Sequence, residues 1–213
     1  MLWDVGRIVV PPAFGLVFRM RFEGLANIPA RGRLILAANH PSPLDPFALA
    51  LAAVRRGRDL RFLTAAEFFE RPVKGWLLRR LAQIPVRRGT GGRSALEEAV
   101  RTLRAGAAVG VFPEGRVSEG SDPARGRTGT ARIALRSRTP LVPVAIWGTH
   151  ERWPRSGPRF GRPLRPPLVI VAGPAILPEG EPRSASDQRA LTDRLMAAIE
   201  HQLEHARATA TAM

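Results

Sequence analysis

Residues 34–54 read LILAANHPSPLDPFALALAAV. Leu34 to Ala38 is a short apolar run of the kind that forms a buried strand. Asp45-Pro46 then opens a helix, since aspartate caps helix N-termini and proline suits the first helical position. Phe47, Leu49, Ala50, Leu51 and Val54 supply its apolar face, and Gly57 ends it. A strand, a stiff loop and a helix make one βα step. Whether the rest of the chain repeats that step decides the fold.

Toward the C-terminus it does. Leu60 to Thr64 is a second strand, Pro72 to Leu81 a helix, and Ile84 to Val86 a short strand. Ser94 and Glu97 form a capping box ahead of Leu96, Val100 and Leu103, and Gly106 stops that helix. Ala107 to Phe112 is a buried strand running into Pro113-Glu114-Gly115. Thr128 to Arg136 reads as helix and Leu141 to Trp147 as strand. Glu151 to Pro167, rich in Pro, Gly and Arg, reads as loop, and Leu168 to Val171 as strand. Leu191, Leu195, Met196, Ile199 and Leu203 recur at helical spacing, and the tail after Arg207 is expected to fray. The alternation predicts a single α/β domain with a largely parallel central sheet flanked by helices. Ligands of such sheets bind beyond the carboxyl ends of the strands.

Toward the N-terminus the pattern changes. Ile8 to Phe18 is hydrophobic but interrupted by Pro11 and Pro12, and Asp4 precedes it. It is too short to span a bilayer and lacks the charged start and small-residue cleavage site of a signal peptide. Residues 1–22 read as a short amphipathic, interfacial helical element with Arg7, Arg19 and Arg21 at its edges. A helix packed on the domain is the other reading. The division expected is residues 1–22, an α/β domain over 23–207 and a frayed tail over 208–213.

Composition narrows the chemistry. The 213 residues contain no cysteine, so disulfides, thiolate metal sites and a cysteine nucleophile are excluded. No His, Asp or Glu cluster has ligand spacing, so no metal is implied. The net charge of +15 favours polyanionic partners: nucleic acid, an anionic membrane face or phosphorylated substrates. A basic nucleic-acid-binding domain would want aromatic platforms or a helix-turn-helix or zinc signature; the chain has no tyrosine and neither signature. A non-catalytic lipid-binding protein is the remaining alternative.

His40 and Asp45 lie five apart on a loop stiffened by Pro41 and Pro43. Such a loop can fold the carboxylate back onto the imidazole, fixing its tautomer and stabilising the imidazolium formed when the other nitrogen takes a proton. Asp45 as a plain helix cap and Ser42 as a local turn residue are the bland readings.

Four ordered blocks then carry a resemblance. Asn39 to Asp45 (NHPSPLD), Ala82 to Arg88 (AQIPVRR), Phe112 to Ser118 (FPEGRVS) and Pro140 to Ile146 (PLVPVAI) resemble the four motifs of the glycerolipid acyltransferase family, which contains the lysophosphatidic acid acyltransferases. The likeness covers roughly Arg19 to Pro178, with Gly148-Thr149 among its flanks. It implies transfer of a fatty acyl group from acyl-CoA or acyl-carrier-protein to the free hydroxyl of 1-acyl-sn-glycerol-3-phosphate or another lyso-lipid. These are co-substrates, and no cofactor is implied. By position, His40 would be the general base and Asp45 its orienting partner. Arg88, Glu114, Gly115, Arg116 and Ser118 would form the acceptor side, with Arg88 on the phosphate. Pro143 would lie on the acyl-donor side or in a supporting turn. Two positions depart from the pattern. Arg116-Val117 stands where the family has Thr-Arg, so Arg125 or Arg127 could stand in for the displaced arginine, and Ala65 stands where many relatives have lysine. The basic surface and the N-terminal element imply peripheral or monotopic attachment at the cytoplasmic face of the cell membrane.

Overall fold

Each βα step predicted from the sequence is present in the computed structural model, which describes residues 2–86, 92–118 and 123–213. The strands are β1 (Arg19–Glu23), β2 (Leu34–Ala38), β3 (Leu60–Ala65), β4 (Ile84–Val86), β5 (Ala108–Val111), β6 (Leu141–Trp147) and β7 (Pro167–Ala172). They form one sheet in the order β1-β7-β6-β2-β5-β3-β4. The five strands from β6 to β4 are mutually parallel. β7 runs antiparallel to β6, and β1 pairs parallel with β7. The carboxyl ends of the five parallel strands therefore share one edge, and the loops after β2, β5 and β6 meet there.

The helices are α1 (Leu2–Val17), α2 (Asp45–Val54), α3 (Pro72–Arg80), α4 (Gly92–Arg104), α5 (Gly129–Ser137) and α6 (Ala185–Thr211). Strand alternation splits the core into two layers. Leu34, Leu36 and Ala38 of β2 face Ala48, Leu49 and Ala52 of α2. Ile35 and Ala37 face the other side, where Leu96, Leu103, Ile133 and Leu195 pack from α4, α5 and α6. A strand buried on both faces is apolar throughout, which is why LILAA does not alternate.

Several boundaries differ from the sequence reading. Arg19 to Phe22, placed there in the N-terminal element, belong to β1; Met20 and Phe22 are partly buried while Arg19 and Arg21 are exposed, the period of two expected of a half-covered edge strand. The helical element proper ends at Val17 and runs unbroken through Pro11 and Pro12. Packing decides this against the prolines: the Phe14 ring lies tilted against Phe18 at 5.6 Å and against Phe47 of α2 at 6.5 Å. The arginines expected at its edges each have a partner within the protein. Arg7 pairs with Asp59 at 2.7 Å, Arg21 with Glu23 at 2.6 Å, and Arg19 donates to the Met213 carbonyl at 2.6 Å. The tail does not fray. α6 continues to Thr211 because Ala206 and Ala210 are buried against Ala145, Val169 and Val171 of the sheet. α4 begins at Gly92, so Ser94 lies inside the helix and is not its cap.

Gly110 and Gly148 are among the glycines at positions that no side chain fits. Gly110 pairs with Phe62 across β5 and β3, and a β-carbon there would sit 2.5 Å from the Phe62 ring. Gly148, just past β6, has φ of 106° and would place a β-carbon 1.9 Å from the Pro167 carbonyl oxygen. Gly148→Ala is expected to lose at least about 2 kcal/mol of stability, through both the strained backbone and the clash, and urea denaturation measures it.

Candidate active site

The site begins with a strand end that cannot slip. The Asn39 side chain donates to the Ile146 carbonyl at 3.0 Å and accepts from the Ile146 N–H at 2.8 Å. It thereby extends the β2–β6 ladder by one side chain and fixes where the next residue, His40, leaves the sheet. The peptide of His40 is held on both sides. Its N–H donates to Glu114 Oε1 at 2.8 Å, and its carbonyl accepts from the Ser118 N–H at 2.8 Å.

The His40 imidazole lies flat on the Phe112 ring, centroids 4.0 Å apart and planes 15° from parallel. Phe112 is in turn stacked on Phe62 at 6.1 Å. The space vacated by Gly110 admits Phe62, so a missing side chain on β5 sets the height of the histidine platform.

His40 Nδ1 lies 2.9 Å from Asp45 Oδ2. The same oxygen accepts the Ser42 N–H at 2.7 Å, and Oδ1 accepts the Thr149 hydroxyl at 2.6 Å. Asp45 and Thr149 are wholly buried. Asp45 is not the helix cap that the sequence suggested. Leu44 holds the cap position, and the carboxylate turns back from the first turn of α2, where the helix dipole favours negative charge. Burial pushes the Asp45 carboxyl above the usual carboxylate range; hydrogen bonds from His40, Thr149 and Ser42 oppose that rise. With an acceptor-only carboxylate against Nδ1, the ring carries its proton there, and Nε2 is left as the basic nitrogen. Ser42 also accepts the Leu44 N–H at 3.0 Å, the local turn anticipated for it.

Glu114 and Ser118 are buried, and both are engaged by the protein itself. Glu114 Oε2 accepts the Ala124 N–H at 2.8 Å and the Ser118 hydroxyl, while Oε1 holds His40. Glu114 thus ties the loop after β5 to the loop after β2. Gly115 has φ of 72° and lies against the Arg127 side chain, whose Cδ would be 3.1 Å from a β-carbon there. Arg116 and Arg127 are exposed. Of the two arginines considered as substitutes for the displaced motif arginine, Arg127 lies beside this loop, and Arg125 is exposed. Arg88 lies outside the described residues.

Pro143 is not in a turn. It is buried as the third residue of β6, opposite Ala37, and its carbonyl accepts from the Gly173 N–H at 2.8 Å, where β7 has ended. The missing N–H of a proline is harmless there, beyond the last β6–β7 pair at Val144 and Ala172. His150 packs edge-to-face on Trp147 at 4.7 Å, and burial pushes its pKa down. His201 and His205 lie on α6. Among the described residues no group of three or more His, Cys, Asp or Glu could hold a metal. Thr149 and Asn39 had no individual role in the sequence reading. A threonine directly after a strand-ending glycine was the available signal for the first.

Two substitutions test this arrangement. Asp45→Asn is isosteric: its carbonyl can accept from Ser42 and His40 while its amide donates to Thr149. The loss of charge should lower turnover by about two to four orders of magnitude. The sign for stability is opposite. Because the folded-state pKa is raised, ionisation costs stability as pH rises through and above the carboxylate range. Melting at neutral pH should therefore be unchanged or higher than wild type, with any gain gone at acidic pH. Glu114→Gln must set its amide against a backbone N–H or the Ser118 hydroxyl. It should cost about 1–3 kcal/mol in chemical denaturation and lower activity through the His40 backbone.

Comparison with known proteins identifies the family and the fold. Residues 19–147 match the family model described as Acyltransferase. An uncharacterized protein of Mycobacterium leprae is 33% identical over 178 residues, which is 74% of this chain and 46% of that protein. The chain thus spans about half the length of the mycobacterial relatives it matches. The 1-acyl-sn-glycerol-3-phosphate acyltransferase of Bacillus subtilis is 27% identical over 183 residues, 84% of this chain and 86% of that one. The crystal structure of the 1-acyl-sn-glycerophosphate acyltransferase PlsC from Thermotoga maritima superposes with a TM-score of 0.74 at 25% identity, covering 93% of this chain and 78% of that one. The chain belongs to the acyltransferase family.

Proposed function

We propose that this chain transfers a fatty acyl group from an acyl thioester, of coenzyme A or an acyl carrier protein, to the free hydroxyl of 1-acyl-sn-glycerol-3-phosphate, giving phosphatidic acid. The observation that carries the reading is the His40–Asp45 pair, 2.9 Å apart and locked by Thr149 and Ser42, with Nε2 as its free basic end.

His40 Nε2 takes the proton of the acceptor hydroxyl as its oxygen attacks the thioester carbonyl carbon. Asp45 stabilises the imidazolium that forms. The tetrahedral adduct collapses, the carbon–sulfur bond breaks, and the imidazolium returns its proton to the departing thiolate. The products are an ester and a free thiol, and the acyl group passes directly without a cysteine intermediate, since the chain has none. The acceptor phosphate is bound by arginines of the loop after β5, Arg127 beside Gly115 and the exposed Arg116, with Arg88 completing the set. Because Arg116-Val117 replaces the family's Thr-Arg, a different lyso-lipid headgroup is the second reading.

The chain works on a membrane surface, at the cytoplasmic face of the cell membrane. No helix among the described residues is long and apolar enough to cross a bilayer. What supports surface binding is the outer stripe of α1: Ile8, Val9, Pro12, Ala13, Leu16 and Val17 are all apolar and all exposed.

A thiol-release assay tests the reading. Purified protein with lysophosphatidic acid and palmitoyl-CoA should release free CoA, read with a thiol reagent that finds no cysteine on the enzyme. His40→Ala should lower that release at least about a thousandfold while the chain stays folded, with a lower melting temperature because the buried Asp45 loses one of its donors. Release that persists in His40→Ala contradicts the mechanism, and release with other lyso-lipids but not this one moves the acceptor.

A further inference from the structure

The outer stripe of α1 supplies apolar surface but no cation, and Arg7, Arg19 and Arg21 around it are each bonded to the protein. A second surface supplies both. Along α3 only Gly75 is buried. Val73, Trp76 and Leu77 stand at positions i, i+3 and i+4, 79%, 51% and 38% exposed, and Phe68 just ahead of the helix is 40% exposed. A helix of a soluble protein turns such a stripe inward. Here the inward side is the glycine, whose backbone lies so close to Phe69 that a β-carbon would be 2.0 Å from its carbonyl oxygen. α3 therefore docks along the Gly75 backbone, with Leu78 half-buried one turn on, and presents Val73, Trp76 and Leu77 outward.

Cations flank these side chains. The Lys74 ammonium lies 5.9 Å from the Phe68 ring centre and the Arg80 guanidinium 5.7 Å from that of Trp76. Arg71 and Arg79 are also exposed. Tryptophan at the wet–dry boundary, aliphatic residues beside it and long basic side chains able to reach back to headgroups are the chemistry of an anionic lipid interface. The placement fits. α3 leaves the catalytic edge after β3, and a right-handed crossover to the parallel strand β4 puts it on the same face of the sheet as α2, against which α1 packs. Phe47 of α2, 51% exposed, stands on this face at the catalytic edge, in the first turn after the His40 loop.

We propose that α3 is a second lipid-contacting element, inserting Val73, Trp76 and Leu77 at the acyl boundary of an anionic bilayer while Lys74 and Arg80 engage its headgroups. It extends the membrane reading given above. With α1 it grips the lipid on one side of the sheet, so that the edge carrying His40 opens toward the bilayer from which a lyso-lipid arrives.

The test uses the full chain and vesicles of phosphatidylcholine with or without phosphatidylglycerol, and no acyl donor. Val73→Ser/Trp76→Ser/Leu77→Ser, with α1 intact, should partition at least tenfold more weakly in sedimentation. Lys74→Gln/Arg80→Gln should lose much of the preference for phosphatidylglycerol. A variant retaining Trp76 as its sole tryptophan should be quenched by lipids brominated on their acyl chains. Thiol release on detergent-dispersed substrates should survive the triple substitution, which separates failure at the membrane from failure of the catalytic reading. Unchanged partition of the triple variant, or an unquenched Trp76, overturns the proposal. So does a triple variant that changes only the oligomeric state, since a second copy of the chain would then cover the stripe.

Discussion

A carboxylate cut off from water is costly unless donors surround it, and Asp45 is surrounded. Removing an ionised carboxylate from solvent costs several kcal/mol even after relaxation, and hydrogen bonds to a charged group return about 1.5–3 kcal/mol each. His40 and Ser42 supply two from the loop that leads into α2, and Thr149 supplies a third from just past β6. Burial still holds the carboxyl above its usual range with all three in place, and the loss of any one would raise the cost of the charge further. The need to satisfy one buried charge therefore fixes the histidine, the loop that carries it and the end of β6 together.

The rest of the catalytic edge can be understood as support for that cluster. Thr149 reaches Oδ1 because Gly148 turns the chain with a backbone few other residues adopt. Asn39 welds β2 to β6 through Ile146, so the strands bearing His40 and Thr149 cannot shift relative to each other. Glu114 binds the next loop to the His40 peptide, and Phe112 with Phe62 behind it sets the plane of the ring. Strands supply rigid anchors and short loops supply the chemistry, as in other parallel sheets whose sites lie beyond the strand carboxyl ends.

Much of this could be read from the residues, for identifiable reasons. β2, β5 and β6 were legible because strands buried on both faces are continuous apolar runs with sharp ends. The pairing of His40 with Asp45 was legible because two prolines leave the loop little freedom. β1 was missed because its alternation, Arg-Met-Arg-Phe-Glu, adjoins an apolar helix and was absorbed into it. The persistence of α6 to Thr211 was missed because Ala206 and Ala210 signal burial only weakly until β6 and β7 are seen beside them. Thr149 lies 104 residues from Asp45, and no local pattern announces a hydrogen bond made across that separation. The engagement of Arg7, Arg19 and Arg21 was equally hidden, since whether a surface arginine is free depends on what folds beside it.

Everything at the catalytic edge turns on Asp45 holding His40 with its proton on Nδ1, which leaves Nε2 as the base. Nitrogen NMR of the chain labelled at histidine reads the tautomer directly, with the His40 signals identified by their loss in His40→Ala. The neutral ring should show a protonated Nδ1 and an unprotonated Nε2. A neutral His40 carrying its proton on Nε2 would contradict this.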